Sequence, residues 1–206
     1  MSNNEANAKP VNENDLVLQE VNEGGILRVT MNDMKRRNAL SEEMLAALAN
    51  ALQLAEKDRS VRVIILAAKG PAFCAGHDLK QMTAGRANAD DNGRAYFAQV
   101  LATCSALMQS IVNHTKPIIA EVTGVATAAG CQLVASCDLA LAADSALFST
   151  PGVDIGLFCS TPMVALLRNV SNKAAMEMLL TGEMVSATKA EHIGLINRVV
   201  SGENLT

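Results

Sequence analysis

The chain has 206 residues, of which 50% are hydrophobic and 18% are charged, and this length and composition fit one ordinary domain with a sizeable core. Lys and Arg total 17 against 21 Asp and Glu, giving a net charge of −4, and there is no Trp, one Tyr and four Phe. This composition excludes wholesale disorder. It also argues against nucleic-acid binding, which needs a basic surface and aromatic platforms for stacking.

The N-terminal segment and the cysteines bear on the cellular compartment. Residues 1–14 are polar and acidic and lack an apolar targeting region, so we expect a flexible tail before a core at residues 15–206. The longest strongly apolar runs, such as Val63–Ala68, are far shorter than the ~20 residues that span a bilayer. The five cysteines include no Cys-x-x-Cys pair, which predicts buried free thiols. We therefore expect a cytoplasmic protein with no membrane association.

The first predicted elements are a hairpin, a helix and a strand. Residues 16–20 and 26–31 alternate apolar and polar side chains around a glycine-containing turn, which predicts two antiparallel strands. Ser41 is a good N-cap, and apolar residues recur after it at helical spacing up to residue 55. The run of β-branched residues at 61–68 predicts a buried strand.

The rest of the chain continues this alternation of strands and helices. Asp78 is placed to cap a short helix, and residues 83–93, with their Gly, Asn and Asp, are the best candidate for a mobile loop. In order, the remaining patterns predict a helix at 94–112, a strand at 118–122, a small-residue turn at 124–130, a helix at 131–136, a strand at 138–143, helices at 161–170, 173–180 and 187–192, and a strand at 195–200. The fold class is therefore α/β, with recurring β-β-α units.

Two segments rich in small residues are candidates for ligand binding. Phe-Cys-Ala-Gly-His-Asp-Leu-Lys at 73–80 and Thr-Gly-Val-Ala-Thr-Ala-Ala-Gly-Cys-Gln at 123–132 each follow a strand and enter a helix. Small residues let a ligand approach the backbone, and the start of a helix leaves N–H groups free. If the two turns face one another, their N–H groups would form an oxyanion hole. The alternative is that the small residues only allow close packing of the backbone. Neither matches a Walker A motif or a G-x-G-x-x-G fingerprint.

The order of motifs around these turns resembles the crotonase superfamily, also called the enoyl-CoA hydratase/isomerase superfamily. The resemblance rests on the first turn, Lys-Pro-Ile-Ile-Ala at 116–120, the second turn leading into Cys-Gln-Leu, and Phe-Ser-Thr-Pro at 148–151. It covers about residues 16–200 and implies a crotonase-like spiral of β-β-α units that binds acyl-CoA thioesters. In that family two backbone N–H groups hold the thioester oxygen, and the matching residues here are His77 and Ala129.

The resemblance also implies which residues bind CoA and how the protein assembles. Four consecutive residues would line the bound CoA, namely His77, Asp78, Leu79 and Lys80. Lys35 and Arg37 are candidates for its phosphates, with a solvated charge run as the alternative. The CoA thioester is then the substrate, no further cofactor is implied, and a homotrimer or hexamer is expected. The C-terminal helices that close the site in this family are expected to be absent from this chain.

The chain departs from the hydratase pattern at both catalytic carboxylates. The matching positions are Gln132 and Gly152. An amide can hold water by hydrogen bonds but cannot exchange a proton near neutral pH, and glycine has no side chain. Losing one general acid–base group typically lowers a rate by about 10²–10⁴. The sequence therefore puts efficient hydration in doubt.

Other side chains are candidates to replace the missing carboxylates. Asp154 lies two residues beyond the vacant position, and the imidazole of His77 could titrate near neutrality. Cys131 and Cys159 flank the site in sequence, with inert buried thiols as the alternative, and Ser160 has no obvious base beside it. No cluster of His, Cys, Asp or Glu has the spacing of metal ligands, so no metal is predicted.

Three functions remain open from the sequence. The leading hypothesis is an enoyl-CoA hydratase-like lyase of fatty acid metabolism that polarises the thioester in a backbone oxyanion hole. A second is another reaction through the same enolate, such as isomerisation, decarboxylation or thioester hydrolysis. A third is a catalytically weak acyl-CoA binding or regulatory protein that keeps the cleft without the carboxylates.

Overall fold

The computed structural model describes residues 14–87 and 89–205. The predicted flexible tail lies outside the described residues except for Asn14. The seven helices in this part of the chain are α1 (Glu42–Lys57), α2 (Leu79–Ala87), α3 (Arg94–Val112), α4 (Ala129–Ser136), α5 (Ser160–Asn169), α6 (Asn172–Thr181) and α7 (Ala187–Ile193). The strands are β1 (Val17–Val21), β2 (Ile26–Met31), β3 (Val63–Ala68), β4 (Ala72–Cys74), β5 (Ile118–Val122), β6 (Val125–Thr127), β7 (Leu139–Ala143), β8 (Leu147–Ser149), β9 (Val185–Ser186) and β10 (Arg198–Val200).

The longer strands form one six-stranded sheet in the order β1-β2-β3-β5-β7-β10. The predicted hairpin is confirmed, since β1 and β2 pair antiparallel, and every other pair in this sheet is parallel. β3 and β5 are almost continuously apolar, as expected for strands whose faces are both covered. Ile64 of β3 and Ile118 of β5 are fully buried.

A second sheet of four short strands, in the order β4-β6-β8-β9, was not predicted from the sequence. These strands have two or three residues each. Strand β6 falls within the predicted small-residue turn at 124–130, and the other three lie in segments for which the sequence predicted no strand. Such short strands carry too few residues for a recognisable alternation of apolar and polar side chains. The pairs β3-β4, β5-β6 and β7-β8 each place one strand in either sheet, and this confirms the predicted α/β fold of repeated β-β-α units.

Local capping signals place two helix starts as predicted. The hydroxyl of Ser41 accepts a hydrogen bond from the Met44 N–H at the start of α1. The carboxylate of Asp78 accepts from the N–H groups of Lys80 and Gln81, at 3.0 and 3.1 Å, at the start of α2. Both helices therefore begin where a side chain satisfies their free N–H groups.

The predicted mobile loop at residues 83–93 is wrong over its first part, because α2 continues to Ala87. Gly85 faces α3 so closely that a Cβ there would overlap the ring of Tyr96. The Tyr96 hydroxyl in turn donates a hydrogen bond to Glu42 at 2.8 Å. Packing against α3 therefore stabilises α2, although Gly85 lowers the helix propensity of this segment.

Helix α3 is the one helix in the described residues whose length and hydropathy would allow it to cross a membrane. It buries Val100, Cys104, Leu107, Met108 and Ile111 inside the fold. A single such helix is weak evidence for a membrane segment, because core helices of globular proteins pass the same test.

The predicted free thiols are confirmed for all five cysteines, three of which are buried and two half-buried. Burial raises the pKa of Cys74 and of Cys131 to about 12. Both thiols are therefore protonated and unreactive at neutral pH.

Candidate active site

Three neighbouring parallel strands of the four-stranded sheet, β4, β6 and β8, end at one edge of the sheet. The candidate site lies in the segments that follow them. Cys74 of β4 pairs with Ala126 of β6, and Thr127 of β6 pairs with Ser149 of β8. The segments that follow these three strands are therefore adjacent, as carboxyl ends of parallel strands are. The N–H of Ala128, just beyond β6, donates to the Ser149 carbonyl at 2.9 Å.

The first two of these segments are in direct contact because glycine stands in each. Gly76 has φ +85°, and a Cβ there would lie 3.0 Å from the Cβ of Ala128 and 3.4 Å from the nitrogen of Ala129. At Gly130 a Cβ would overlap the carbonyl of Cys74. A side chain at either glycine would separate the two turns.

The two backbone N–H groups that the family resemblance indicates belong to these two touching turns. Neither the N–H of His77 nor that of Ala129 has a hydrogen-bond acceptor among the described residues. Ala129 is the first residue of α4, where the helix dipole favours a negative oxygen. Ala128, which precedes it, has φ 51° and ψ −118°, a sparsely populated positive-φ conformation that costs a non-glycine residue about 1–3 kcal/mol.

Basic side chains lie on the chain segment that borders the first turn. The N–H of Ala75 donates to the Arg37 carbonyl at 3.1 Å, and the N–H of Leu40 donates to the Gly76 carbonyl at 2.7 Å. These bonds fix residues 34–40 beside the turn. Lys35 and Arg37 are exposed there.

The remaining residues of the predicted CoA-binding segment open α2. Leu79 and Lys80 are exposed, and Lys80 adds a further cation near the turn. Asp78 instead caps the helix and pairs with Arg36 at 3.4 Å. Asp78 is thereby held by protein groups, whereas Lys80 has no ion-pair partner among the described residues.

Gln132 lies one helical turn beyond Ala129 on α4. Its N–H donates to the Ala128 carbonyl at 3.0 Å, its side chain is 7% exposed, and its Oε1 is buried without a partner among the described residues. It lines a cavity of about 320 Å³ between α3, α4 and α5. The amide therefore keeps hydrogen-bonding capacity at the first of the two positions where the family resemblance implies a carboxylate.

The second carboxylate position is sterically closed. A Cβ at Gly152 would lie 2.8 Å from the Cys159 sulfur and 3.0 Å from the Leu157 carbonyl oxygen. Real Cβ atoms essentially never approach within 3.0 Å of another atom. Burial raises the pKa of the Cys159 thiol, and a hydrogen bond from the Gly152 backbone opposes part of this rise in pKa. A neutral thiol thus occupies the space that a longer side chain at 152 would need.

The other candidate acid–base groups are not gathered at the turns. Asp154 is exposed, and its Oδ1 lies 3.2 Å from where a Cβ of Gly182 would be, against the end of α6. Ser160 is exposed at the start of α5. The structure therefore lends no support to a role in proton transfer for either side chain.

The imidazole of His77 is close to the site but poorly placed to carry charge. Its Nδ1 is buried without a hydrogen-bond partner within the described part of the chain. Burial lowers the pKa of His77, and the nearby Leu40 carbonyl opposes this only in part. The ring is therefore neutral at pH 7.

Sequence reasoning missed two buried hydroxyls at the end of β8. Ser149 and Thr150 are both 0% exposed, and neither hydroxyl has a hydrogen-bond partner among the described residues. They belong to the Phe-Ser-Thr-Pro motif, but only their burial distinguishes them from other hydroxyl residues. No group of three or more His, Cys, Asp or Glu side chains in the described residues could hold a metal ion.

Comparison with known proteins establishes the family of this chain. The family model for enoyl-CoA hydratase/isomerase matches residues 21–206, and the chain belongs to this family. It is 51% identical over 181 residues to mouse enoyl-CoA hydratase domain-containing protein 3, mitochondrial, covering 88% of this chain and 58% of the relative. It is 36% identical over 181 residues to a putative enoyl-CoA hydratase of Thermus thermophilus, covering 87% of this chain and 70% of the relative.

Solved structures show the same fold. A Mycobacterium smegmatis enoyl-CoA hydratase superposes with a TM-score of 0.87 at 52% identity, covering 93% of this chain and 72% of that one. Human enoyl-CoA hydratase domain-containing protein 3 gives a TM-score of 0.86 at 46% identity, covering 93% and 73%. The predicted crotonase-like fold is confirmed.

One expectation from the sequence is overturned by these relatives. The mouse, rat and human proteins, which are 50–51% identical to this chain, are all named mitochondrial. The prediction of a cytoplasmic protein, which rested on the composition of the N-terminus and the cysteines, is therefore wrong. The chain spans 58% of the length of the mouse relative.

Proposed function

We propose that this chain binds an acyl-CoA thioester and polarises its carbonyl between the backbone N–H groups of His77 and Ala129. The proposal rests on the contact between the two turns and on both N–H groups lacking an acceptor among the described residues. A carbonyl oxygen that gains negative charge would take both bonds at a helix start. Such a donor contributes about 2.7–4 kcal/mol of transition-state stabilisation in other enzymes.

The CoA portion would lie along the basic side of the first turn. Lys35, Arg37 and Lys80 are exposed next to it and have no ion-pair partner among the described residues. Phosphate groups pair readily with such cations. We therefore assign these three side chains to the CoA phosphates, with the thioester directed at His77 and Ala129.

Hydration in the manner of a lyase would be slow in this site. Gln132 cannot exchange a proton, and the space at Gly152 is filled by Cys159. The same contact favours a second candidate function, acyl-CoA binding without efficient turnover. Among other reactions through an enolate, decarboxylation requires the fewest acid–base groups from the protein, because the carboxylate of the substrate itself leaves.

The test is to incubate the protein with crotonyl-CoA and to measure both binding and products by calorimetry and mass spectrometry. Gly76→Ala is the informative variant, because its Cβ would push against Ala128 and part the two turns. Gly156→Ala is the matched control, since Gly156 also has positive φ (74°) but has no atom within 4 Å of the added Cβ.

We expect wild type and Gly156→Ala to bind the thioester and Gly76→Ala to bind it at least about tenfold more weakly. A gain of one water would assign hydration, and free CoA would assign thioester hydrolysis. Binding with no product would favour the second candidate function. Unchanged binding by a folded Gly76→Ala variant would refute the assignment of the oxyanion hole.

We further propose that the protein assembles as a homotrimer or hexamer. Ile155, Leu157 and Phe158 expose 61%, 62% and 42% of their surface next to the site. An apolar cluster of this kind is typical of a contact surface. Light scattering on the eluting protein would test the assembly, and a monomer at micromolar concentration would contradict it.

A further inference from the structure

The peptide group that carries the His77 N–H is held by the protein at its carbonyl end. That carbonyl belongs to Gly76 and accepts a hydrogen bond from the Leu40 N–H at 2.7 Å. The peptide bond is trans, so its C=O and N–H groups point in opposite directions. The bond from Leu40 therefore fixes the direction of the His77 N–H. It also polarises this N–H, since hydrogen bonds in a chain strengthen one another.

The second proposed donor has the same arrangement, but helix geometry supplies it. The Ala129 N–H belongs to the peptide group whose carbonyl is that of Ala128, and this carbonyl accepts from the Gln132 N–H at 3.0 Å. That bond is the ordinary one between residues four apart in an α-helix. Helix α4 thus holds the second donor by itself, whereas the support of the first donor comes from residues 33–40.

Residues 33–40 have an unfavourable backbone at two consecutive positions. Arg37 has φ 53° and ψ 40°, and Asn38 has φ 51°. A left-handed backbone is unfavourable for residues other than glycine, and less so for Asn than for Arg. Such strain persists only where the surrounding contacts impose it. With this backbone, the Arg37 carbonyl accepts from the Ala75 N–H at 3.1 Å while the Leu40 N–H reaches the next carbonyl of the first turn.

The Asn38 side chain supplies contacts that impose this backbone. It is 0% exposed, and its Oδ1 accepts from the Asp33 N–H at 2.8 Å. Its Nδ2 donates to the carbonyls of Lys69 and Ala72 at 2.9 and 2.8 Å. Lys69 directly follows β3, and Ala72 begins β4, the strand that leads into the first turn. The side chain therefore ties residues 33–40 to the strand that carries the turn.

We propose that Asn38 is a positioning residue for the oxyanion hole. It acts through the bond from Leu40 to Gly76, which aims and polarises the His77 N–H. Asn38 itself does not contact the ligand, because it is fully buried and both N–H groups of its amide bind backbone carbonyls. This inference rests on the proposed acyl-CoA binding. Loss of Asn38 should therefore weaken the binding of the thioester carbonyl more than the binding of the rest of the ligand.

The test compares two ligands that differ only at the carbonyl. They are butyryl-CoA and S-butyl-CoA, a thioether with a methylene in place of the carbonyl, and calorimetry on the 206-residue protein gives the ratio of their affinities. We expect the wild type to bind the thioester at least about tenfold more tightly, because two backbone N–H groups lose their acceptor in the thioether complex. Asn38→Gly removes the side chain but accepts a positive φ. Its ratio should fall to about threefold, since one of the two donors is still held by α4.

A second measurement reports on the bound carbonyl directly. Hydrogen bonding lowers the stretching frequency of a C=O group, which difference infrared spectroscopy resolves for an isotope-labelled thioester. The frequency in bound butyryl-CoA should be lower in the wild type than in Asn38→Gly or Asn38→Ala. If Asn38 contributed only to stability, both affinities would fall together, and the ratio and the frequency would not change.

Arg28→Met is the control for a general loss of stability. It breaks an ion pair within the six-stranded sheet, between Arg28 of β2 and Glu121 of β5, and should leave the ratio unchanged. Thermal unfolding would show that every variant is folded.

The outcomes separate this inference from the proposed function. An unchanged ratio in Asn38→Gly and Asn38→Ala would overturn the role of Asn38 and leave the proposed function standing. An equal fall of the ratio in Arg28→Met would also overturn that role, because any loss of stability would then have the same effect. Equal affinity of the wild type for both ligands, or binding of neither, would overturn the proposed oxyanion hole itself.

Discussion

The contact between Gly152 and Cys159 predicts that the two positions are energetically coupled. Gly152 is not in the left-handed region, so adding a Cβ there brings steric overlap and no backbone strain. The added atom would lie 2.8 Å from the Cys159 sulfur, and overpacking of this kind costs about 1–3 kcal/mol. Cys159→Ala removes the sulfur, so most of the cost of Gly152→Ala should disappear in the double variant. The remaining overlap is with the Leu157 carbonyl at 3.0 Å.

The assay is urea unfolding of the four proteins of this double-mutant cycle, followed by circular dichroism. We expect a coupling free energy of about 1–2 kcal/mol, since residues in contact commonly show such values. Additivity of the two single changes within about 0.5 kcal/mol would refute the steric argument.

The same contact governs any attempt to restore hydration. Gly152→Glu alone should stay close to wild type in the hydration of crotonyl-CoA, because Cys159 occupies the space for the side chain. Combined with Cys159→Ala it should raise the rate, up to the factor of about 10²–10⁴ that one acid–base group supplies. Gly156→Glu adds a carboxylate in open space and is the control. An equal gain from the single variant and the double variant would contradict the steric account.

Three further predictions concern stability. Asn38 is fully buried, accepts a hydrogen bond from the Asp33 N–H and donates to two backbone carbonyls. Asn38→Ala should therefore lower the free energy of unfolding by about 2–3 kcal/mol. A loss below about 1 kcal/mol would contradict this prediction. Burial lowers the pKa of His77, so its contribution to the free energy of unfolding should be complete above pH ~6.5 and should fall as the pH drops below that value. The loss of stability in acid should be smaller in His77→Gln. A urea midpoint that does not change from pH 7 to 5 would contradict this prediction. Arg28 donates a hydrogen bond to the nearly buried carboxylate of Glu121. Arg28→Met should therefore lower the free energy of unfolding by about 2–3 kcal/mol, somewhat less than the loss from breaking a wholly buried ion pair. The double variant Arg28→Met with Glu121→Leu should recover part of that loss.

The sequence predicted the long elements because their signals are local. Ser41 and Asp78 cap helices through bonds to N–H groups two or three residues away, and these bonds do not depend on the rest of the fold. The helical spacing after Ser41 and the β-branched run of β3 give periods that span several residues. The oxyanion turns could be identified as candidates, since small residues before a helix carry a recognisable motif.

Tertiary packing decided where local signals were weak or misleading. Residues 83–87 contain a glycine and read as a loop, but Tyr96 of α3 packs on Gly85 and the helix continues. From the sequence, Asp154 is a candidate to replace the missing carboxylate because it lies two residues from the vacant position. In the fold its side chain lies against α6, since nearness along the chain does not fix the direction of a side chain.

The sequence by itself determined the α/β class, the family and the two small-residue turns, because each depends on residue identity and local spacing. Only the tertiary structure decided that the turns touch, that Cys159 fills the space at Gly152, and that the polar side-chain atoms of Thr150 and Gln132 are buried without a partner among the described residues. The contact between the turns depends on the short strands β4 and β6 being neighbours in one sheet. Strands of three residues form because neighbouring strands supply their hydrogen bonds, and those neighbours lie about 20–50 residues away along the chain.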